Sequence, residues 1–590
     1  MTVYTAPTQE IEFVINHLAE VDNLQSIAAF TDATPDMVGA IVAEAAKLAE
    51  DVLAPLNHVG DQRGVELKQE GVIAAPGFAD AYQQFVDSGW QGLAQPPEYG
   101  GQGMPFLLHT AIAEIWNSAN MSFALCPMLS VSAIDAMKAH ASDELQQRYL
   151  EKLVSGEWTG TMNLTEPQAG SDLSALTAKA LPQDDHYLIT GTKIFITWGD
   201  HDMSENIVHM VLARLPDAPD GVKGISLFLV PKFLVNDDGS LGQRNDVFCS
   251  GLEHKMGIHG SPTCVMNFGD DTGAIGYLVG EENQGLSCMF TMMNHARLEV
   301  GIEGVGLSER AYQGAVNYAR ERKQGYKKGF EGRVAIIEHA DVKRMLMVMR
   351  SLTEASRALG FVAAAAFDHS KSNPDPVQQA AYQQRMDLLT PVVKAWSTEV
   401  AQEVTSLGVQ VWGGMGYIEE SGMAQHVRDA RIITIYEGTS GIQANDLIGR
   451  KLIRDNGTAM QQMLDEMKLL LGELQSHEAL QAMAARLETG VECLEQTMTY
   501  ILQNHSGHAD LAGAAAFNFM MLSGTVMGAA QMAKAALIVT TDATISDDFS
   551  DAKCKTANFY MQHILPRALA YQQAVQANPD TTMSLQEEQF

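Results

Sequence analysis

One carboxylate stands alone in an otherwise uncharged stretch of the chain. Residues 432–443 read IITIYEGTSGIQ, and Glu437 is the one charged residue among them. Apolar residues precede it and a Gly/Ser/Thr cluster follows, which predicts a turn between two helices. A carboxyl partly removed from water has a raised pKa, as a general base working near neutral pH requires. The alternative is an ordinary solvated loop carboxylate, or one that caps a helix.

The motifs around Glu437 resemble those of a known family. IYEGTSGIQ, preceded by QVWGGMGYI at residues 410–418, is similar to the end of the catalytic domain in acyl-CoA dehydrogenases. In that family the Glu of YEGT removes the α-proton of an acyl-CoA thioester while the β-hydride leaves to FAD. The resemblance runs from Ala40 to Leu452. It implies Glu437 as catalytic base, Gly438 at the substrate and Thr439 at the cofactor.

A second position bears on the choice of base. Some family members lack the Glu of YEGT and carry one on a long helix, immediately before an Arg. Here that Arg is Arg297, and Ala296 precedes it. The resemblance therefore leaves Glu437 as the base and implies that Arg297 contacts the substrate.

Two further stretches resemble the flavin-facing parts of the family. MNLTEPQAGSD, residues 162–172, is rich in small and hydroxyl residues that let a ligand approach the backbone closely, although an ordinary loop has the same composition. KIFITWG, residues 193–199, matches the second stretch, where family members often have Trp in place of Phe195. The resemblance implies that Ser171 contacts the CoA side of the substrate. It implies these residues at the FAD: Met162, Leu164, Thr165, Phe195 and Thr197.

A third group of residues implies more than one subunit. Arg322, in RERKQG, matches the Arg whose guanidinium binds the FAD pyrophosphate across a subunit boundary, and a fork of charged donors suits a diphosphate. Gln410 and Gly414 match positions at the adenosine end of a neighbouring subunit's FAD. The resemblance therefore implies a homodimer or a larger homo-oligomer. The loop after Arg322 departs from the family pattern, and an exposed helix-end cation is the alternative for this residue.

The elements that must position these residues follow from periodicity. Apolar spacing predicts helices over residues 1–158 and again over 285–455, and β-branched runs between Gly, Asp and Pro turns predict an antiparallel β domain over 159–284. Thr34-Pro35-Asp36 predicts a helix start. Residues 456–590 predict an extra C-terminal helical domain. The predicted fold is mainly α with a central β domain, as in acyl-CoA dehydrogenases: N-terminal helical domain, antiparallel β domain and four-helix bundle, plus this extension.

Composition excludes several classes of protein. The 590 residues exceed what one core supports, and the net charge of −33 argues against a nucleic-acid surface. The six cysteines form no CxxC pair and no His/Cys metal spacing, which predicts no metal site and suits a reducing cytoplasm. The N-terminus lacks the pattern of a signal peptide.

One apolar stretch, residues 512–537, is long enough to suggest a membrane span. Asn518, Gln531 and Lys534 interrupt it, and many of its residues are Ala or Gly. We therefore predict a buried helix with close neighbours and no membrane span.

The substrate prediction rests on the overall resemblance, which is strongest to a bacterial subgroup acting on 3-methylmercaptopropionyl-CoA. It implies electron-transferring flavoprotein as the electron acceptor. Met121, Phe123, Met128 and Met137 are candidates to close a short acyl cavity, although Met and Phe at helical spacing are usually core residues. An acyl-CoA oxidase is the alternative within the class. A DNA-damage-associated flavoprotein of the same fold is a further alternative, which the acidic C-terminal segment disfavours.

Overall fold

The computed structural model describes residues 3–590, and the chain divides into two compact units. One unit contains the residues up to Ala43 together with Pro105–Glu114 and Arg297–Phe590. The other contains Glu44–Met104 and Ile115–Ala296.

The first part of the chain is mainly helical, as the periodicity predicts. α3 begins at Pro35, and the Thr34 hydroxyl accepts a hydrogen bond from the Met37 N–H at 3.2 Å, which confirms the predicted helix start. A short antiparallel hairpin interrupts the helices and was not expected from the sequence. The elements are α1 (Thr8–Phe13), α2 (Val21–Gln25), α3 (Pro35–Leu48), α4 (Ala54–Arg63), β1 (Glu66–Lys68), β2 (Gly71–Ile73), α5 (Phe78–Asp87), α6 (Phe106–His140) and α7 (Asp143–Ser155).

The β domain is one eight-stranded sheet with a small separate hairpin. The order of the main sheet is β10-β11-β5-β12-β7-β6-β3, with β4 paired to β5, and β8 pairs with β9 outside it. The strands are β3 (Trp158–Asn163), β4 (Lys179–Pro182), β5 (Tyr187–Thr197), β6 (Asn206–Arg214), β7 (Ile225–Pro231), β8 (Phe233–Val235), β9 (Leu241–Arg244), β10 (Val247–Leu252), β11 (Thr263–Phe268) and β12 (Ala274–Val279).

The sheet departs from the predicted antiparallel pattern at β3, which runs parallel to β6. Parallel pairing needs a crossover connection of roughly a dozen residues or more. The chain between Asn163 and Asn206, which contains β4 and β5, supplies that crossover. The alternation of residue types along the sequence predicts each strand separately. It does not reveal which strands pair or in which direction they run.

The helical period returns after β12. Two short helices, α11 and α12, flank the turn that holds Glu437. The elements are α8 (Gly285–Glu321), α9 (Ala340–Ser372), α10 (Pro376–Trp412), α11 (Met423–Ile433) and α12 (Ser440–Asp446). The predicted class, mainly α with a central β domain, is therefore confirmed.

The C-terminal segment is helical throughout and packs on the preceding bundle. Its helices are α13 (Thr458–Ser476), α14 (Gln481–Asn504), α15 (Leu511–Thr541), α16 (Asp547–Phe559) and α17 (Arg567–Val575). At Gly524 of α15, a Cβ atom would lie 2.2 Å from Cγ of Trp396 on α10. The Lys553 ammonium of α16 donates to Glu354 of α9 at 2.7 Å, and both side chains are buried. The extension thus contacts the bundle through close backbone approach and a buried ion pair.

Two helices pass a length-and-apolarity test for crossing a membrane, namely α6 and α15. In α6, 94% of the most apolar window is buried inside the protein, and in α15 the share is 67%. Core helices of soluble proteins pass the same test, so the two helices are weak indications of a membrane span.

Candidate active site

Glu437 lies in the turn between α11 and α12 with its backbone in the left-handed region. Its φ is 54°, which is uncommon for a residue other than glycine and often marks a functional site. Gly438 follows with φ of 88°, and a Cβ there would come within 2.8 Å of the Gln443 side-chain nitrogen. That nitrogen donates to the Glu437 carbonyl at 3.0 Å. Glycine at 438 therefore allows the bond that closes the turn.

A buried lysine holds the two ends of this turn together. Lys394 of α10 is fully buried, and its ammonium donates to the carbonyls of Ile433 and Gly438, both at 2.8 Å. Thr439 caps α12, because its hydroxyl accepts a hydrogen bond from the Ile442 N–H at 3.2 Å. Lys394 belongs to none of the sequence motifs. The available signal was a single charged residue in the apolar stretch TPVVKAW, residues 390–396.

The electrostatic environment suits a proton acceptor. Glu437 is half-buried, and removal of its carboxyl from water raises the pKa to about 7, although the positive charges of Arg297 and Lys394 act to lower it. Arg297 of α8 is itself buried, and burial lowers its pKa. The Glu437 carboxyl is therefore not an ordinary solvated loop carboxylate.

Phe195 lies at a β-bulge in the second stretch predicted to face the flavin, residues 193–199. In the pairing of β11 with β5, Cys264 opposes Ile196 and Met266 opposes Lys193, so two residues of β5 face one of β11. Phe195 has φ of 60°, and its ring is 58% exposed. Bulges re-aim side chains and are frequent beside active sites. The bulge thus turns a large apolar ring out of the sheet.

The first stretch predicted to face the flavin, residues 162–172, is hydrogen-bonded to the same strand. The Ile194 N–H donates to the Thr165 carbonyl at 2.9 Å, and the buried Lys193 ammonium donates to the Leu164 carbonyl at 3.0 Å. Lys193 also pairs with buried Glu166 at 2.9 Å. Burial alone would raise the pKa of Glu166, but Lys193 and hydrogen bonds from Thr177 lower it to about 2. This buried ion pair, which the sequence motifs do not indicate, fixes the loop beside Phe195.

The other residues of this unit that are predicted to contact the flavin or the CoA lie on the same strands and loop. Met162 and Thr197 are half-buried at the ends of β3 and β5, as are Leu164 and Thr165 in the loop. Ser171 is exposed farther along the loop. An exposed aromatic ring beside half-buried apolar and hydroxyl side chains fits a flat, partly polar ring system such as an isoalloxazine.

Arg322, Gln410 and Gly414 lie elsewhere, where α8 and α10 end. All three are exposed. One turn before Arg322, the Tyr318 ring stacks on Trp412 with centroids 4.3 Å apart, which joins the two helix ends. Arg322 follows Arg297 by 25 residues along α8, roughly 37 Å of helix axis at 1.5 Å per residue. Arg322 therefore does not reach the surroundings of Arg297 in the same chain.

The candidate acyl-cavity residues lie on α6 around a break in its backbone. Asn120 has φ of −160° and ψ of 88°, and its side chain accepts from the Phe123 N–H at 3.2 Å. Met121, Met128 and Met137 are buried, as is Phe123. The Phe123 ring centroid lies 6.0–6.3 Å from three other aromatic rings: Phe78, Tyr82 and Phe85. Phe123 is thus a member of an aromatic core.

Helices, a mixed β domain and a helical bundle with a carboxylate in this turn define the class of acyl-CoA dehydrogenases. The sequence matches the family models for the N-terminal domain (residues 38–157), the middle domain (161–270) and the C-terminal domain (283–452) of acyl-CoA dehydrogenase. Residues 459–586 match the model described as acetyl-CoA dehydrogenase C-terminal like.

Individual relatives and structures agree with these matches. The chain is 44% identical to 3-methylmercaptopropionyl-CoA dehydrogenase of Ruegeria pomeroyi, over 98% of this chain and 99% of that protein. It is 32% identical to a butyryl-CoA dehydrogenase of Syntrophomonas wolfei, over 100% and 99% of the two chains. The crystal structure of an acyl-CoA dehydrogenase complexed with FAD from Bacillus anthracis has a TM-score of 0.76 at 20% identity, over 94% of this chain and 91% of that chain.

The chain belongs to the acyl-CoA dehydrogenase family. It is an FAD-dependent oxidoreductase.

Proposed function

We propose that this protein oxidises an acyl-CoA thioester between Cα and Cβ to a 2-enoyl-CoA, with Glu437 as the catalytic base. The half-buried Glu437 carboxyl, with a pKa of about 7 in a strained turn, is the observation that favours this role most directly. FAD, when bound, accepts the β-hydride. The position before Arg297 holds fully buried Ala296, so the alternative base is absent.

Binding of the thioester involves the same turn. The Glu437 N–H would donate to the thioester carbonyl, because a fixed donor stabilises the negative charge that develops there as the α-proton leaves. Gly438, which has no side chain, and the buried Arg297 would line the acyl-CoA. Ser171, exposed on its loop, would contact the CoA.

The cofactor would contact two groups of residues. Met162, Leu164, Thr165, Phe195 and Thr197 would face the flavin, supported by the bulge and the Lys193–Glu166 pair, and Thr439 would contact it from the base turn. Arg322 would bind the pyrophosphate, and Gln410 and Gly414 the adenosine, of a neighbouring subunit's FAD. The roughly 37 Å of α8 between Arg297 and Arg322 favours this sharing, and hence a homodimer or larger homo-oligomer.

The decisive test is Glu437→Gln, which keeps the shape of the side chain and removes the base. The variant should keep FAD and bind acyl-CoA, while anaerobic flavin reduction falls by roughly 10²–10⁴-fold or more. The control is Glu420→Gln, the same change at an exposed Glu before α11, which should reduce at the wild-type rate. Near-normal bleaching of the flavin by substrate in Glu437→Gln would contradict the assignment.

The proposed substrate is 3-methylmercaptopropionyl-CoA or another short or medium acyl-CoA. The relative of that name, at 44% identity over nearly the whole chain, supports this proposal. Met121, Met128 and Met137 are buried on α6, and thioether side chains suit a sulfur-bearing acyl group because they are polarizable and adaptable.

A panel of substrates tests the chain-length proposal. Each methylene that fits an apolar pocket gains ~0.8 kcal/mol, and efficiency falls once the pocket is full. We expect kcat/KM to peak at a short chain, with the methylthio compound and pentanoyl-CoA among the better substrates. A steady rise to dodecanoyl-CoA and beyond would indicate a long open tunnel and contradict the proposal, without affecting the assignment of Glu437.

The electron acceptor would be electron-transferring flavoprotein, and the protein would act in the cytoplasm. The yield of hydrogen peroxide on turnover distinguishes a dehydrogenase from an oxidase. Stoichiometric peroxide formation would favour the oxidase.

We also propose that segments 1–158, 159–284, 285–455 and 456–590 act as the four domains of the protein, supported by the change from helices to strands and back.

A further inference from the structure

A second buried carboxyl lies directly against the base turn. Glu303 of α8 is fully buried, and its Oε2 atom accepts a hydrogen bond from the Tyr436 hydroxyl at 2.5 Å. Tyr436 is the residue immediately before Glu437. We propose that Glu303 is a positioning residue which acts through Tyr436 on Glu437. This inference rests on the proposed role of Glu437 as the base.

The hydrogen bond restrains the turn from the side of α8. Lys394 of α10 holds the carbonyls of Ile433 and Gly438, which flank the turn. The bond from Tyr436 to Glu303 adds an attachment next to the left-handed residue itself. A backbone in a sparsely populated region persists only where several contacts impose it. Loss of the Glu303 acceptor should therefore loosen the position of the Glu437 carboxyl.

The charges that face Glu303 come from three places. Glu299 lies one turn earlier on α8, Tyr436 and Glu437 belong to the turn, and Lys394 belongs to α10. Burial raises the pKa of Glu303 to about 8, and the charges of Glu299 and Glu437 act in the same direction. The hydrogen bond from Tyr436 and the charge of Lys394 act to lower it.

The pKa values of both carboxyls are raised, to about 7 for Glu437 and to about 8 for Glu303. Above them, a second buried negative charge opposes the charge that develops on the thioester during proton abstraction. Glu303 should therefore set the upper pH limit of the reaction as well as the position of the base.

Two substitutions separate positioning from mere packing. Glu303→Gln keeps an oxygen that accepts from Tyr436 but cannot ionise, whereas Glu303→Leu keeps the volume and removes the acceptor. The measurement is the anaerobic rate constant of flavin reduction by a saturating acyl-CoA from about pH 6 to pH 10, with FAD content and substrate dissociation constant measured beside it.

We expect wild type to slow above about pH 8, and Glu303→Gln to stay fast there. At pH 7.5, Glu303→Leu should slow flavin reduction by about tenfold, because the turn loses an attachment that holds the Glu437 carboxyl in place, while FAD content and substrate affinity stay within about twofold. Glu303→Gln should restore most of the rate. Tyr436→Phe removes the same bond from the other end, so adding it to Glu303→Leu should cost little more.

Three results would overturn the proposal: an alkaline fall that persists in Glu303→Gln, a full rate in Glu303→Leu, or independent effects of Tyr436→Phe and Glu303→Leu. The first would assign the fall to another group, such as Lys394. If Glu303→Leu does not fold, the pH profile of Glu303→Gln still decides. Failure of the proposed function itself is distinct, because wild type would then show no flavin reduction by any acyl-CoA.

Discussion

At the scale of single residues, Glu437 combines two unfavourable features that its surroundings maintain. Its backbone is left-handed, and its carboxyl is removed from water enough to raise the pKa to about 7. Three side chains from α8, α10 and α12 fasten the turn at its own or adjacent residues: Tyr436 to Glu303, Lys394 to Gly438, and Gln443 to Glu437. Strain of this kind persists where several contacts determine one conformation.

The raised pKa predicts the acid limb of the reaction. The base must be ionised to accept the α-proton, so flavin reduction should slow as pH falls through about 7, by tenfold for each further pH unit. An ordinary Glu, with a pKa of about 4.3, would keep the rate constant down to about pH 5. Stopped-flow reduction of the holoenzyme across this range measures the limb, and a flat profile between about pH 5 and pH 7 would contradict the raised pKa.

At the scale of elements, small residues decide how closely the helices approach. Gly524 lets α15 lie directly on the Trp396 ring of α10, and Trp396 is itself buried. The same logic operates in the sheet, where the bulge in β5 turns the Phe195 ring outward. The close approach of two helices and the irregular pairing of two strands thus determine which side chains are buried and which face outward.

Gly524→Ala should destabilise the packing of α15 on α10. The new methyl would sit 2.2 Å from Cγ of Trp396, and such overpacking lowers the free energy of unfolding by about 1–3 kcal/mol. The matched control is Gly513→Ala, in the first turn of the same helix, where no atom lies within 4 Å of the added Cβ. That variant should keep or slightly raise Tm, because alanine favours helix. Equal melting temperatures for the two variants would count against the tight contact.

At the scale of the whole molecule, the proposed sharing of FAD rests on residues at the ends of two long helices. Arg322, Gln410 and Gly414 are exposed where α8 and α10 end, and the Tyr318–Trp412 stack holds those ends together. Arg297 lies far back along the same helix. Our proposal that Arg322, Gln410 and Gly414 bind the FAD of a neighbouring subunit therefore implies a homo-oligomer.

Arg322→Ala should therefore lower FAD content and leave a folded protein. A charge-assisted hydrogen bond to phosphate contributes roughly 1.5–3 kcal/mol, which changes occupancy by about tenfold or more. The control is Arg486→Ala, at an exposed arginine of α14, which should keep full FAD. Flavin absorbance and light scattering measure both properties. A monomeric protein with full FAD content would contradict the shared site.

The sequence by itself determined the features that depend on near neighbours. The Thr34 cap, the helical and strand periodicities, and the turn of YEGT are set by residues within a few positions of one another, so their patterns are visible in the chain. The lone Glu437 and the absence of an acid at Ala296 were equally readable, and the family resemblance gave them a chemical meaning.

Only the tertiary structure decided what surrounds those residues. The Tyr436–Glu303 bond spans 133 positions of sequence, and Lys394 reaches Gly438 across 44. The parallel pairing of β3 with β6 and the left-handed backbone of Phe195 likewise depend on partners that are distant in sequence. Burial, and with it the pKa of Glu437, is a property of packing, because removal from water depends on every element that covers the carboxyl.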